Sequence, residues 1–164
     1  MDKYYYFVSQ LPLLFFEREA PLVVDDYLEE AKKWLSARDY VILSRVDLDD
    51  ICPTAHSPVE LKEYVKFESR LRNDIAHWRK ARQAGQEYRP VSFPPSFVED
   101  GTPLEVEKKL LRLRWAFIEH LEAEHHFDLE FLILYCLKLQ ILHRLFSFNK
   151  EKGASIFNRL YEDP

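Results

Sequence analysis

Three glycines in 164 residues constrain this chain more than any other feature. Sandwiches and barrels turn every few residues, and many of those turns need glycine at positive φ. So few glycines favour long helices joined by few turns. Two helix starts are explicit. Thr102-Pro103-Leu104-Glu105 offers a capping hydroxyl, proline at the first helical position and a glutamate three residues after the cap. Ser57-Pro58-Val59-Glu60 repeats that grammar, and Asp128 is placed to cap a third long helix.

Apolar residues then recur at helical spacing. Tyr27, Leu28, Ala31, Trp34 and Leu35 follow Asp25 and Asp26, which suit an N-cap and first turn. That helix continues, or restarts after a kink, through Asp39 to Val46. Leu61, Tyr64, Val65, Leu71, Ile75 and Trp78 form a stripe between Pro58 and Gly85, a glycine suited to stop a helix. Val106, Leu110, Leu113, Phe117 and Leu121 form another after Pro103. The segment 129–148 is apolar nearly all round, as the centre of a bundle would be. Gly153 ends it, and Ile156, Phe157 and Leu160 make a last amphipathic turn. The aromatic opening Tyr4 to Val8 has the composition of a strand, and Pro12 limits it to one short element. No Gly/Ser linker divides the chain. The expectation is an all-α, elongated helical bundle of about four to six helices, with long antiparallel helices, forming one domain over 1–164.

Charge and motif narrow the function. Lys plus Arg is 23 against 28 Asp plus Glu, a net charge of −5, which argues against a nucleic-acid partner. The basic stretch from Lys62 to Arg89 is interleaved with Glu63, Glu68, Asp74 and Glu87, so it reads as a solvated helix face. Cys52 and Cys136 belong to no CxxC pair and read as two reduced thiols. Phe131 to Leu142 contains Lys138 and is flanked by Glu130 and Arg144, too short and too charged to span a bilayer. The uncharged run Tyr4 to Phe16 follows Asp2 and precedes Glu17-Arg18-Glu19, unlike a signal peptide. A cytoplasmic location is expected. There is no GxGxxG, GxxxxGK[ST] or GxSxG, and no cofactor is expected.

One constellation could carry chemistry. Glu122 and His125 make an E-x-x-H, and Asp74 and His77 make its aspartate version. Such pairs hold two metal ions in di-metal carboxylate bundles, because i, i+3 spacing puts carboxylate and imidazole on one helix face. The competing explanation is a solvated His/Glu helix end. Lys138, on an apolar helix, must find a partner, and Glu68 or Asp74 could serve. The proline-rich loop Tyr88 to Gly101 carries Phe93 and Phe97 as anchors and suits a hinge or docking loop. Twelve Phe, nine Tyr and three Trp leave aromatic rings for a partner surface, so a helical interaction adaptor is a further alternative.

Three segments also carry a resemblance. The opening Tyr4-Tyr5-Tyr6-Phe7-Val8-Ser9-Gln10-Leu11-Pro12, the middle Phe67-Glu68-Ser69-Arg70-Leu71-Arg72-Asn73, and the block Phe127-Asp128-Leu129-Glu130 through Tyr135, Lys138, Leu139, Gln140 and Arg144 are similar to a family of short bacterial proteins. These are encoded in V-type ATP synthase operons. The resemblance implies a non-catalytic accessory or central-stalk subunit of a proton- or sodium-translocating V-type ATPase. It would be a shortened equivalent of the helical funnel that seats the central stalk on the rotor ring. Its partners would be central-stalk and rotor-ring subunits, holding it at the inner face of the membrane without a span of its own. Phe67, Glu68, Arg72 and Asn73 are then candidates for a packing or docking motif, and Phe93 and Phe97 for a contact surface. Exposed aromatics would also let the isolated chain pair as a homodimer.

Overall fold

The computed structural model describes residues 4–148, which form seven helices and no strand. The expected all-α fold is therefore present; the turn assigned to Ile156, Phe157 and Leu160 lies outside the described residues. The opening segment corrects one expectation. Instead of a strand it forms α1 (Tyr5–Gln10). Tyr4, Phe7, Val8 and Leu11 stand at i, i+3, i+4 and i+7, and all four turn toward the core. Period prevailed over the strand preference of aromatic residues.

Next come α2 (Val24–Trp34) and α3 (Ala37–Leu43). Asp25 and Asp26 occupy the first turn of α2 and Lys32 and Lys33 its last, complementing the helix dipole, while the N-cap is Val23. Extended backbone at Leu35 breaks the run, and the Ser36 hydroxyl accepts from the Asp39 N–H at 3.2 Å to start α3.

The long helix α4 (Val59–Gln83) begins without the capping box expected of Ser57 and Glu60. Ser57 Oγ accepts instead from the Thr54 N–H at 2.8 Å, and Glu60 turns to His125. Pro58 becomes the cap residue. At the other end Gly85, at φ +67°, closes a Schellman turn: the Gln86 N–H reaches the Ala81 carbonyl and the Gly85 N–H that of Arg82. After the short α5 (Ser96–Glu99), α6 (Pro103–Glu122) does open on a complete capping box between Thr102 and Glu105. Gly101, at φ +108°, makes room for it, since a Cβ there would lie 2.7 Å from Glu105 Oε2. Asp128 caps α7 (Leu129–Ser147) by accepting from the Phe131 N–H.

Ion pairs fix the helix directions. Glu107, early in α6, meets Arg144, late in α7, so these two run antiparallel. Glu68 meets Arg114 and Leu71 packs with Leu110, so α4 and α6 are antiparallel as well. α7 is the hub, buried from Leu132 to Leu139. Its polar side chains bind surrounding backbone: Tyr135 donates to Pro12 O, and Gln140 donates to Val46 O and accepts from the Leu48 N–H. Tyr27 of α2 donates to Leu132 O. A second, smaller apolar cluster sits along α4 and α6, made of Leu71, Phe93, Val98 and Leu110. No described helix is long and apolar enough to cross a membrane. Cys52 is exposed and Cys136 buried, both as free thiols.

Candidate functional site

The periodicity of α4 and α6 puts charge where apolar residues belong. Glu68 falls between Tyr64 and Leu71 on the buried face of α4, and Arg114 between Leu110 and Ile118 on that of α6. Each needs a partner, and they find each other. Arg114 grips Glu68 with both prongs, Nε to Oε2 at 2.8 Å and a terminal nitrogen to Oε1 at 2.9 Å. Arg72, one turn on, donates Nε to Glu68 Oε1 at 2.7 Å and its other nitrogens to the carbonyls of Asp49 and Leu48. Burial alone would raise the Glu68 pKa, but hydrogen bonds and charge from Arg114, then Arg72, hold it below the ordinary carboxylate value. Arg144 extends the chain of charge, bonding Asp49 Oδ1 at 2.7 Å and pairing with Glu107 at 2.9 Å.

These residues surround a cleft of about 360 Å³ where α4, α6 and α7 meet. Arg72, Arg79, Arg114 and Arg144 line it, with Asp49 and Glu107 among them. Sequence reasoning missed Arg114, Arg144, Glu107 and Asp49. A signal existed for Arg114, a charge in the apolar stripe of α6. None existed for Asp49, whose place depends on the path of the loop before α4.

Asp74 does different work. Its carboxylate accepts from the Tyr88 hydroxyl and from the backbone N–H groups of Val91 and Ser92, at 2.7 and 2.6 Å. Burial opposes its ionisation, but the Ser92, Tyr88 and Val91 donors outweigh that and lower its pKa. The proline-rich loop is thereby tied to α4. Phe93 is 4% exposed and Phe97 half-buried, both packed in the smaller cluster. Phe93 thus anchors the loop inward, and Asp74 holds it there. Phe67 stacks on Phe117, with ring centroids 4.1 Å apart. Asn73 is exposed.

The four residues of the metal alternative do not converge. His77 is exposed beside the Tyr88 ring, and Asp74 is taken by the loop. Glu122 pairs with Lys138, which also lies 5.2 Å from the centre of the Trp115 ring. Lys138 therefore finds Glu122, not Glu68 or Asp74, because the antiparallel α6–α7 pair brings them together. His125 joins three elements: Nδ1 meets Asp128 at 2.6 Å, and Nε2 lies 3.3 Å from Glu60 at the start of α4. Burial would lower its pKa, but Asp128 and then Glu60 and Glu130 raise it. Ligand atoms of His125, Asp128 and Glu130 lie within 4.8 Å of one another. Asp128 is engaged there as the cap of α7.

Residues 96–163 match the family model described as "Protein of unknown function (DUF2764)". The chain is similar to that family over α5, α6, α7 and the segment that follows. The matched span contains the block Phe127 to Arg144, while Tyr4 to Pro12 and Phe67 to Asn73 lie outside it. No curated protein and no solved structure matches the chain.

Proposed function

We propose that this chain is a non-catalytic, protein-binding helical subunit. More specifically, it is an accessory or central-stalk part of a bacterial V-type ATPase, similar in role to the funnel that seats the stalk on the rotor ring. One observation carries the coarser reading. The charged groups at the meeting of α4, α6 and α7 are joined across elements, Arg114–Glu68–Arg72 on one side and Arg144 with Asp49 and Glu107 on the other. Such joints stiffen a helix pair, since bidentate guanidinium–carboxylate contacts fix direction as well as distance. A part that transmits torque or fixes spacing needs that stiffness.

Exposed rings supply the second half of the argument. Tyr5, Tyr6, Phe15 and Trp34 are all more than 40% exposed, and Tyr6 packs on Trp34 at 4.8 Å. Rings of this kind anchor interfaces. The ATPase assignment rests on the resemblance carried by Tyr4 to Pro12, Phe67 to Asn73 and Phe127 to Arg144. It predicts that the tagged full-length chain, expressed in its own host, co-purifies from solubilised membranes with stalk subunits in near-equal amounts. Recovery of none of them, from an extract in which the ATPase is intact, would refute the assignment.

A further inference from the structure

The sequence makes the middle of the chain look charge-balanced, because acids alternate with bases. In the structure two of those acids leave the surface. Glu68 and Asp74 are each 6% exposed and face inward, one held by Arg114 and Arg72, the other by the proline-rich loop. Between Ser69 and Gln83, α4 carries Arg70, Arg72, Arg79, Lys80 and Arg82, all exposed, and Asp74 is the single acid there. Among the described residues the side chains of Arg79 and Lys80 make no hydrogen bond or ion pair, and Arg82 lies over the Trp78 ring at 5.2 Å. Arg72 and Arg79 are seven residues apart, two turns on one face, about 10 Å along the axis. Ala76 lies between them and keeps the cleft open. Arg79 lies at the middle of a broad exposed strip, with Lys80 on one flank and Arg82 on the other, Arg82 in a groove that also holds Glu87 and Glu99, on a chain of net charge −5.

We propose that this strip of distal α4, Arg79 flanked by Lys80 and Arg82, docks an acidic segment of a partner protein. Asp49 and Glu107 in the same cleft favour a protein over a nucleic acid. A phosphate backbone repeats its charge uniformly and would lie against both carboxylates. A protein segment can place acids on Arg79 and Lys80 and a neutral or basic residue beside Asp49. The inference rests on the reading of the chain as a binding subunit, but not on the ATPase assignment, so its test uses no ATPase.

The test is fluorescence anisotropy of the full-length chain with a labelled helical peptide of about 20 residues, glutamates along one face, against its glutamine counterpart. The glutamate peptide is expected to bind and the glutamine one not. Arg79→Glu/Lys80→Glu/Arg82→Glu should weaken binding at least about tenfold, whereas Lys32→Glu/Lys33→Glu on α2 leaves it unchanged. Circular dichroism checks that each variant is folded, and Arg79→Gln, expected to lose about threefold, serves if the triple variant is not. Equal binding by wild type and the distal variants would overturn the proposal. So would displacement of the peptide by single-stranded RNA of similar length at lower concentration, which would assign the face to nucleic acid.

Discussion

The cluster around α7 and the cluster at the distal end of α4 share helices yet are held differently. Around α7 almost every side chain from Leu132 to Leu142 is buried; Tyr135 and Gln140 bind nearby backbone, and Lys138 alone is held by an ion pair, with Glu122. The distal cluster has four buried residues, Leu71, Phe93, Val98 and Leu110, with half-buried rings at its edge. It has far fewer buried apolar residues than the cluster around α7. Charge completes it: Glu68 ties α4 to α6, and Asp74 ties the proline-rich loop to α4. Where apolar burial is large, polar groups select register; where it is small, they hold the parts together. The distal region should therefore open first and respond most to charge and pH.

The sharpest way to separate the two is to cut into each. Leu134→Ala, in the buried face of α7, should cost about 4 kcal/mol in urea denaturation and loosen the whole chain. Glu68→Gln should cost about 3 kcal/mol, because Arg114 is left nearly buried without its counter-charge. In native hydrogen exchange that variant should deprotect α4 beyond Leu71 while α7 stays protected. Equal deprotection of both would break the distinction drawn here.

Asp74→Asn should cost about 1 to 2 kcal/mol and free residues 88–93, since an amide nitrogen cannot accept the bonds that one carboxylate oxygen now takes. Acid tests the same point without substitution. Glu68 and Asp74 both have lowered pKa values in the fold, so their stabilisation is complete above the ordinary carboxylate range and is lost as pH falls through the lowered values. The indole N–H signal of Trp78, at the distal cluster, should broaden or shift on acidification before that of Trp115 in the main core. His125 has the opposite sign. Its raised pKa means that its clamp is complete below about pH 6.5 and is lost as pH rises through the raised value. His125→Gln should flatten that alkaline decline, an effect of about 1 kcal/mol or less in urea midpoints measured from about pH 6 to 9.

Much of the frame is legible in the sequence. Thr102 and Glu105, Asp128, Gly85 and the apolar stripes of α4 and α6 state helix ends and faces in local chemistry, and local chemistry is what sequence records. Ser57 copies the Thr102 grammar but finds Thr54 first, because a hydroxyl bonds to whichever backbone N–H the loop presents. The Tyr4 to Leu11 helix is hidden by strand-forming residue types, although its spacing is helical. The candidate site is half legible. Glu68 and Arg72 stand out, and Arg114 is visible as a charge in an apolar stripe. Asp49, Arg144 and Glu107 come together only through tertiary folding, which no spacing encodes. The partners that hold Glu68 and Asp74 inward, Arg114 on another helix and the proline-rich loop, are not written in any spacing either.

The most direct test of the proposed docking role is to purify the V-type ATPase of the same host through one of its own catalytic subunits, cross-link it, and identify linked lysines by mass spectrometry. The account predicts this chain in the complex at a fixed ratio, with Lys80 linked to a protein of the central stalk. An intact, active ATPase that lacks the chain, in cells that contain it, would contradict the account.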